Sequence, residues 1–323
     1  MHDLAIIIVS TNEAHWLGPC LSSVFAHAGD IGLDVVVVDN ESTDGTREVV
    51  QREFPEARVV ASQNRGFSHA NNRGWLTCDA RYALFLNPDT EILEGTFEGL
   101  VAAMDARPTV GLAGVKQVTA DGALSPTIRR FPNALRMLGE AVGSERLPFR
   151  ASWLGERELD LSVYEREVDC DWTSGSFMLA RREALASAGL LDERSFIYGE
   201  EPDLCLRMRK AGWKIVHLPA MTILHHAGKG GVSPRMEAQN AVAKLHYARK
   251  HFGRSHRLVF VGGLALRYAL RAGAPGRGEG ARQRRAAAVR SLKTMARLEP
   301  PPFGDPPPTA VEGRSPDVAR DRL

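Results

Sequence analysis

Cysteine is scarce in this chain. Four residues in 323, Cys20, Cys78, Cys170 and Cys205, lie far apart, none at the close spacing of paired metal ligands. Neither a zinc site nor a disulfide framework is indicated, and reduced core thiols, hence a cytoplasmic location, are expected. A secretory leader is missing as well: Met1–Val9 passes from two polar positions straight into an apolar stretch, with no basic start or small-residue cleavage site. The late apolar run 258–270 is interrupted by Arg267 and is about 13 residues long, against the roughly 20 that span a bilayer. No transmembrane segment is expected, although a helix lying in the membrane interface would fit. Internal repeats are absent. Two nucleotide-binding signatures are also missing. Residues 10–14, Ser-Thr-Asn-Glu-Ala, contain no glycine for the tight turn that admits a dinucleotide pyrophosphate, and no Gly-Lys-Ser/Thr marks a P-loop.

What is present is a chain with 44% hydrophobic and 25% charged residues, enough to bury a full core. Its net charge of +2 conceals an asymmetry. Residues 1–234 carry 23 Lys/Arg against 32 Asp/Glu, 235–298 carry 15 against 2, and 299–323 carry 3 against 5. The basic segment would be drawn to anionic lipid, with nucleic acid as the lesser alternative; a solvated helical face explains the same residues without a partner.

Apolar runs at Leu4–Ser10, Asp34–Asp39, Ala57–Ala61 and Arg81–Leu86 alternate with helical spacing at Glu13–Ala28, Asp44–Glu53 and Gly66–Cys78. Ser42 or Asp44 supplies an N-cap signal for the second of these helices. A helix over Gly95–Ala106 leads into a fifth strand, Val110–Lys116. The alternation predicts an α/β fold with a mainly parallel central sheet flanked by helices. After Lys116, Gly122, Pro126, Pro132 and Pro148 break the pattern; order returns at Val168–Ala180, in a helix from Pro202 to Ala211 and in another from Ser233 to Phe252. The expected organisation is a Rossmann-like half over 1–116, a second half of the same domain over 117–232, a basic helical extension over 233–298 and a disordered tail over 299–323.

Open α/β sheets bind ligands outside the carboxyl ends of their strands. Here those ends are polar: Ser10-Thr11-Asn12, Asp39-Asn40, Gln63-Asn64-Arg65-Gly66 and Asn87-Pro88-Asp89. Turn preference alone would explain each loop, but their joint register assembles a polar crevice. Without a glycine-rich turn, a diphosphate there can be held through a divalent cation, and Asp89 fits the need for a carboxylate ligand.

The segments 37–46 (Val-Val-Asp-Asn-Glu-Ser-Thr-Asp-Gly-Thr), Asn64-Arg65-Gly66-Phe67, Asn71-Asn72 and Leu86-Asn87-Pro88-Asp89 together resemble the family 2 glycosyltransferases of GT-A fold, a Rossmann-like nucleotide-diphospho-sugar transferase architecture. The likeness covers about residues 4–230 and is greatest to rhamnosyltransferase-like enzymes of bacterial cell-surface polysaccharide synthesis. It implies a nucleotide-diphosphate-sugar donor bound by Thr11, Asp39, Asn64, Gly66, Asn87 and Asp89, with Asp39 recognising a pyrimidine. Asn87 and Asp89 stand at the family's Asp-any-Asp motif, of which only the second acid is kept. The resemblance further implies a divalent cation, Mg2+ or Mn2+, on Asp89 and on His225 or His226. Lys229 stands near a serine position of the family and would contact phosphate.

Tyr198-Gly199-Glu200-Glu201-Pro202-Asp203 resembles the family segment whose second acid is the base, which places that role on Glu201, a glutamate where aspartate is usual. Stabilisation of a helix N-terminus would explain the same pair of acids. Residues 172–179 are similar to the strand bordering the acceptor, which assigns Trp172, Gly175 and Glu200 to it; core packing is an equal explanation for Trp172. The expected reaction is transfer, with inversion, of a sugar, rhamnose by subfamily likeness, to a hydroxyl of a glycan or lipid-linked acceptor. Such acceptors favour a peripheral position on the inner face of the cell membrane. A catalytically silent sugar-binding protein is the first alternative, supported by Asn87 and Glu201. A nucleotidyltransferase is the second, disfavoured because the basic glycine-rich loop after the first strand is missing.

Overall fold

The computed structural model describes residues 1–143, 152–226 and 233–304. Chain order begins β1 (His2–Ser10), α1 (Ala14–Ala26), β2 (Leu33–Asn40), α2 (Thr46–Glu53), β3 (Arg58–Ser62), α3 (Phe67–Trp75) and β4 (Ala80–Leu86). β5 (Thr90–Glu94), α4 (Phe97–Asp105), β6 (Val110–Val118) and α5 (Ala134–Ala141) follow, then β7 (Val168–Asp169), β8 (Phe177–Arg181), α6 (Arg182–Ala188), α7 (Glu200–Lys210) and β9 (Lys214–His225). Three helices close the described chain: α8 (Pro234–His251), α9 (Arg254–Gly273) and α10 (Glu279–Met295).

The strands form one sheet in the order β3-β2-β1-β4-β8-β6-β9-β5, with β7 pairing to β9. β3, β2, β1 and β4 run parallel, as do β6 and β9, while β8 lies antiparallel between β4 and β6. The central strands are near-continuous apolar runs because both faces are covered. On β1, Leu4, Ile6 and Ile8 enter the core shared with α1, α2 and α4, whereas Ala5 and Ile7 enter the opposite core with α3, α6 and α7. A third core joins Met137 of α5 to Ala241, Phe260, Leu264 and Ala288 of the last three helices.

Several boundaries differ from the sequence expectation. α2 starts at Thr46, with Asp44 Oδ1 accepting from its amide at 3.2 Å and its hydroxyl at 2.7 Å, so the capping acid lies outside the helix. α7 starts at Glu200, two residues before Pro202, which places both glutamates inside the first turn. β5 and β7 are short strands that carry no signal of their own; both are held by pairing to β9. The tail is ordered as far as Gly304: Phe303 stacks on Phe196 at 4.0 Å and Arg235 lies over its ring. Residues 305–323 lie outside the described residues, as does Lys229.

Candidate active site

The ends of β1 and β2 are stitched by side chains. Asn12 Oδ1 accepts from the Thr43 amide at 2.7 Å, Ser42 Oγ accepts from the Asn12 amide at 3.1 Å, and Asp44 Oδ2 accepts from the Ala14 amide at 2.8 Å. Asn12 and Glu41 adopt left-handed backbone, φ 57° and 61°, a conformation that side-chain-bearing residues hold mainly where the surroundings over-determine it. Asn40 Nδ2 then donates to Thr11 Oγ1 at 3.1 Å and to Asn64 Oδ1 at 3.0 Å, bringing those two expected donor-site residues onto one wall. Asp39 accepts from the Ser42 amide at 2.9 Å and pairs with the Arg47 guanidinium. Burial opposes its charge, but the Ser42 and Arg47 bonds outweigh burial and hold the carboxyl below its ordinary value. Arg47 had no sequence signal.

Gly66 has φ 105°, and a Cβ there would collide with the Phe196 carbonyl, which accepts from the Phe67 amide at 2.8 Å. Its side-chain-free backbone thus seats the 190–199 segment against α3; this packing explains the glycine without a donor contact.

At the end of β4, the Asn87 amide donates to the Ser176 carbonyl at 3.0 Å, and the Asn87 carbonyl accepts from Thr90 Oγ1 at 2.7 Å. Asp89 points at His225, with Nε2 3.3 Å from Oδ1, because Thr90 and His225 are register partners between β5 and β9. His226, the next residue, faces elsewhere: Nε2 is 2.6 Å from Glu91 and its ring stacks on Trp16 at 4.4 Å. Of the two histidines, His225 is therefore the one beside Asp89. Glu13, not singled out from the sequence, joins this rim: burial, then the charges of Asp89 and Asp44, push its carboxyl up to about 7. Among the described residues no three His, Cys, Asp or Glu side chains converge as a complete metal shell. Asp89 and His225 are two side chains that could hold a divalent cation if phosphate oxygens completed its shell.

The expected acceptor side is built on Gly175. Its amide donates to Glu201 Oε1 at 3.1 Å, and a Cβ at this position would lie 2.6 Å from the same oxygen. Glu201 lines a cleft of about 780 Å³ together with Trp172, Ser174, Tyr198, Arg129 and Arg157. Trp172 spans both readings of its role, lining the cleft while its Nε1 donates to the Arg130 carbonyl at 2.9 Å. Burial raises the Glu201 pKa, opposed by backbone amides and by Arg129.

Glu200 departs from the expectation. Only 3% exposed, it does not line the cleft, and its Oε2 is buried without a hydrogen-bond partner. Adjacent helical residues project about 100° apart, so the neighbour of a cleft-facing residue turns into the core. Burial, then the Glu201 charge, raise its pKa well above the ordinary value.

All four cysteines are free, three of them buried. Among the described residues no helix is long and apolar enough to cross a membrane.

Residues 5–185 match the family model described as Glycosyl transferase family 2. The chain is 32% identical over 282 residues to the N-acetylglucosaminyl-diphospho-decaprenol L-rhamnosyltransferase of Mycobacterium tuberculosis, covering 82% of this chain and 91% of that one. It is 26% identical over 230 residues to the rhamnosyltransferase WbbL of Escherichia coli, covering 69% of this chain and 83% of that one. Among solved structures, a mannosyltransferase of Pyrobaculum calidifontis in complex with GDP-mannose and Mn2+ aligns with a TM-score of 0.54 at 17% identity, covering 91% of this chain and 87% of that one. The fold is that of a GT-A glycosyltransferase, and the chain belongs to glycosyl transferase family 2.

Proposed function

We propose that this glycosyltransferase moves rhamnose, with inversion, from a nucleoside-diphosphate donor onto a hydroxyl of a lipid-linked sugar. The observation that carries the reading is the start of β8. There Ser176 accepts from the Asn87 amide and Gly175 donates to the Glu201 carboxylate, so the rim bearing Asp89 and the rim bearing Glu201 are tied across two consecutive residues. The activities for which the relatives are named supply the sugar and the acceptor class.

In this reading Thr11, Asp39, Asn40 and Asn64 hold the nucleoside. Asp89 and His225 fix the diphosphate end together with a divalent cation, which when bound neutralises charge on the departing diphosphate. Glu201 accepts the proton of the acceptor hydroxyl as its oxygen attacks the anomeric carbon. The bond from that carbon to the diphosphate oxygen breaks, and its electron pair leaves with the nucleoside diphosphate. Gly175 orients the carboxylate, and Trp172 flanks the acceptor sugar. Exposed Leu258, Val259, Leu266 and Leu270 lie on α9, beside exposed Arg254, and form a surface suited to an anionic membrane on the inner face, where such an acceptor resides.

A panel of nucleoside-diphosphate sugars with a polyprenyl-diphosphate-linked N-acetylglucosamine acceptor and Mn2+ or Mg2+ tests this. Rhamnosylated product and nucleoside diphosphate are expected together. Glu201→Gln should lower turnover by about 10²–10⁴-fold, and Asp89→Ala should abolish the metal-dependent rate. No nucleoside diphosphate above blank with any donor would favour the silent sugar-binding alternative.

A further inference from the structure

Two arginines beside Glu201 in the cleft form no ion pair among the described residues. Arg129 and Arg157 are joined by an antiparallel backbone bridge, and both line the cleft with Glu201. The Arg129 guanidinium lies over the Trp172 ring, 5.6 Å from its centroid, and its Nε is buried with no hydrogen-bond partner. Arg157 is exposed, and its side chain makes no hydrogen bond or ion pair among the described residues. The nearest acids are already committed. Lys244 is 3.1 Å from Glu156, while Glu140 serves Lys244 and Arg267. Arg271, farther along, is paired with Glu237 at 3.0 Å. Lys244, Arg267 and Arg271 of the cleft thus have acid partners, whereas Arg129 and Arg157 form no ion pair among the described residues. Burial, and then the charge of Arg157, depress the pKa of Arg129, while the charges of Glu156 and Glu201 oppose the fall.

A pair of cations with a buried orphan donor is stabilised by an anion with several acceptor oxygens, and the planar guanidinium fork matches phosphate bidentately. The position also fits. A sugar whose hydroxyl meets Glu201 presents its anomeric substituent one pyranose ring away, inside the same mouth. The same cleft extends to the last two helices, where Phe260, Ala287 and Ala288 line it together with Arg267, Arg271, Arg284 and Arg285.

We propose that Arg129 and Arg157 form the subsite for the diphosphate of the acceptor, so that the acceptor is a sugar joined to a lipid through a diphosphate, with the lipid leaving along the cleft. The assignment rests on the lipid-linked acceptor reading above and locates it on two residues of this chain.

Binding of farnesyl diphosphate to the full chain, with chelator present so that no divalent cation supports diphosphate binding at Asp89, tests the subsite without requiring transfer. Arg157→Gln is the primary variant, because the residue is exposed and its loss leaves the core intact. It should weaken binding about tenfold or more, Arg157→Lys should recover part of the loss, and Arg129→Gln should act in the same direction. Arg284→Gln, at the far end of the cleft, should have a smaller effect. Wild-type affinity in Arg157→Gln, equal binding of farnesol, or no binding to the wild type would each overturn the proposal. Inorganic pyrophosphate binding as tightly as farnesyl diphosphate would overturn the lipid-linked ligand. A chain that binds farnesyl diphosphate through Arg157 but releases no nucleoside diphosphate from any donor would retain the subsite and defeat rhamnosyl transfer instead.

Discussion

Glu200 and Glu201 are chemically identical and adjacent, yet the fold gives them different protonation behaviour. Both are raised by burial, but Glu200 has the larger rise and an orphaned oxygen, whereas Glu201 is opposed by the Gly175 amide and by Arg129. The geometry therefore favours the charge of the pair on Glu201, the one facing the cleft, with Glu200 the more readily protonated of the two. A general base works only when deprotonated. Because the Glu201 pKa is raised, the transfer rate should climb with pH through a value above the ordinary glutamate pKa of about 4.3 and be lost as pH falls through it. Glu200→Gln, which replaces a protonated acid with a neutral amide, should leave this limb nearly in place. A pH profile of kcat/KM on wild type and variant checks the assignment, since disappearance of the limb in Glu200→Gln would move the titrating group to Glu200. The sequence revealed the pair and its resemblance to a family acid motif. The resemblance implied the base role for Glu201 and an acceptor role for Glu200; that Glu200 turns away from the cleft could not be read there, because it depends on which way each side chain leaves the helix.

At the scale of elements, the site depends on short joints between strands and helices more than on the strands. β9 brings His225 to Asp89 only because β5, a strand too brief to recognise by pattern, pairs with it in that register. Gly66 is a second joint. With φ 105° and the Phe196 carbonyl against its α-carbon, it allows the 190–199 segment, and so the start of α7, to sit on α3. Gly66→Ala should therefore destabilise the chain by about 1–3 kcal/mol or more, from left-handed strain and the clash together. Thermal unfolding with and without donor nucleotide measures this. An unchanged Tm combined with weakened donor binding would return Gly66 to the donor role that the family resemblance implied. Asn12 and Glu41 mark the same economy of space at the β1 and β2 ends, where left-handed backbone is fixed by the Asn12–Thr43 and Ser42 bonds.

Over the whole molecule, part of the charge asymmetry of the sequence turns inward. Lys250 pairs with Asp192 at 2.6 Å and Asp203 at 2.7 Å, His251 meets Asp203 at 2.7 Å, and Lys244 and Arg267 pair with Glu140, so three of the basic extension's lysines and arginines are held by the acidic half, while most of the others are exposed. These bonds, with the third core, fasten α8 and α9 beside the catalytic cleft rather than leaving them as a free arm. What remains outward is the α9 face with Leu258, Leu266 and Leu270 at 74%, 42% and 49% exposure. Co-sedimentation with anionic vesicles is expected at low salt, with release as salt screens the arginines, and Leu266→Ser with Leu270→Ser should reduce it further. Failure of the wild type to sediment at low salt would remove the membrane role.

The sequence by itself determined the architecture and the polar crevice, because strands buried on both faces must be apolar runs and their polar ends stand out against them. It also determined the family, through motifs that are contiguous in the chain. The tertiary structure decided what contiguity cannot: that the His225 ring rather than the His226 ring meets the Asp89 carboxylate, that Glu201 faces the cleft while Glu200 is buried, and that Arg129 and Arg157 meet beside Glu201. Each of these rests on strand register, helical rotation or the pairing of distant segments, and none of those quantities has a local signature in the chain.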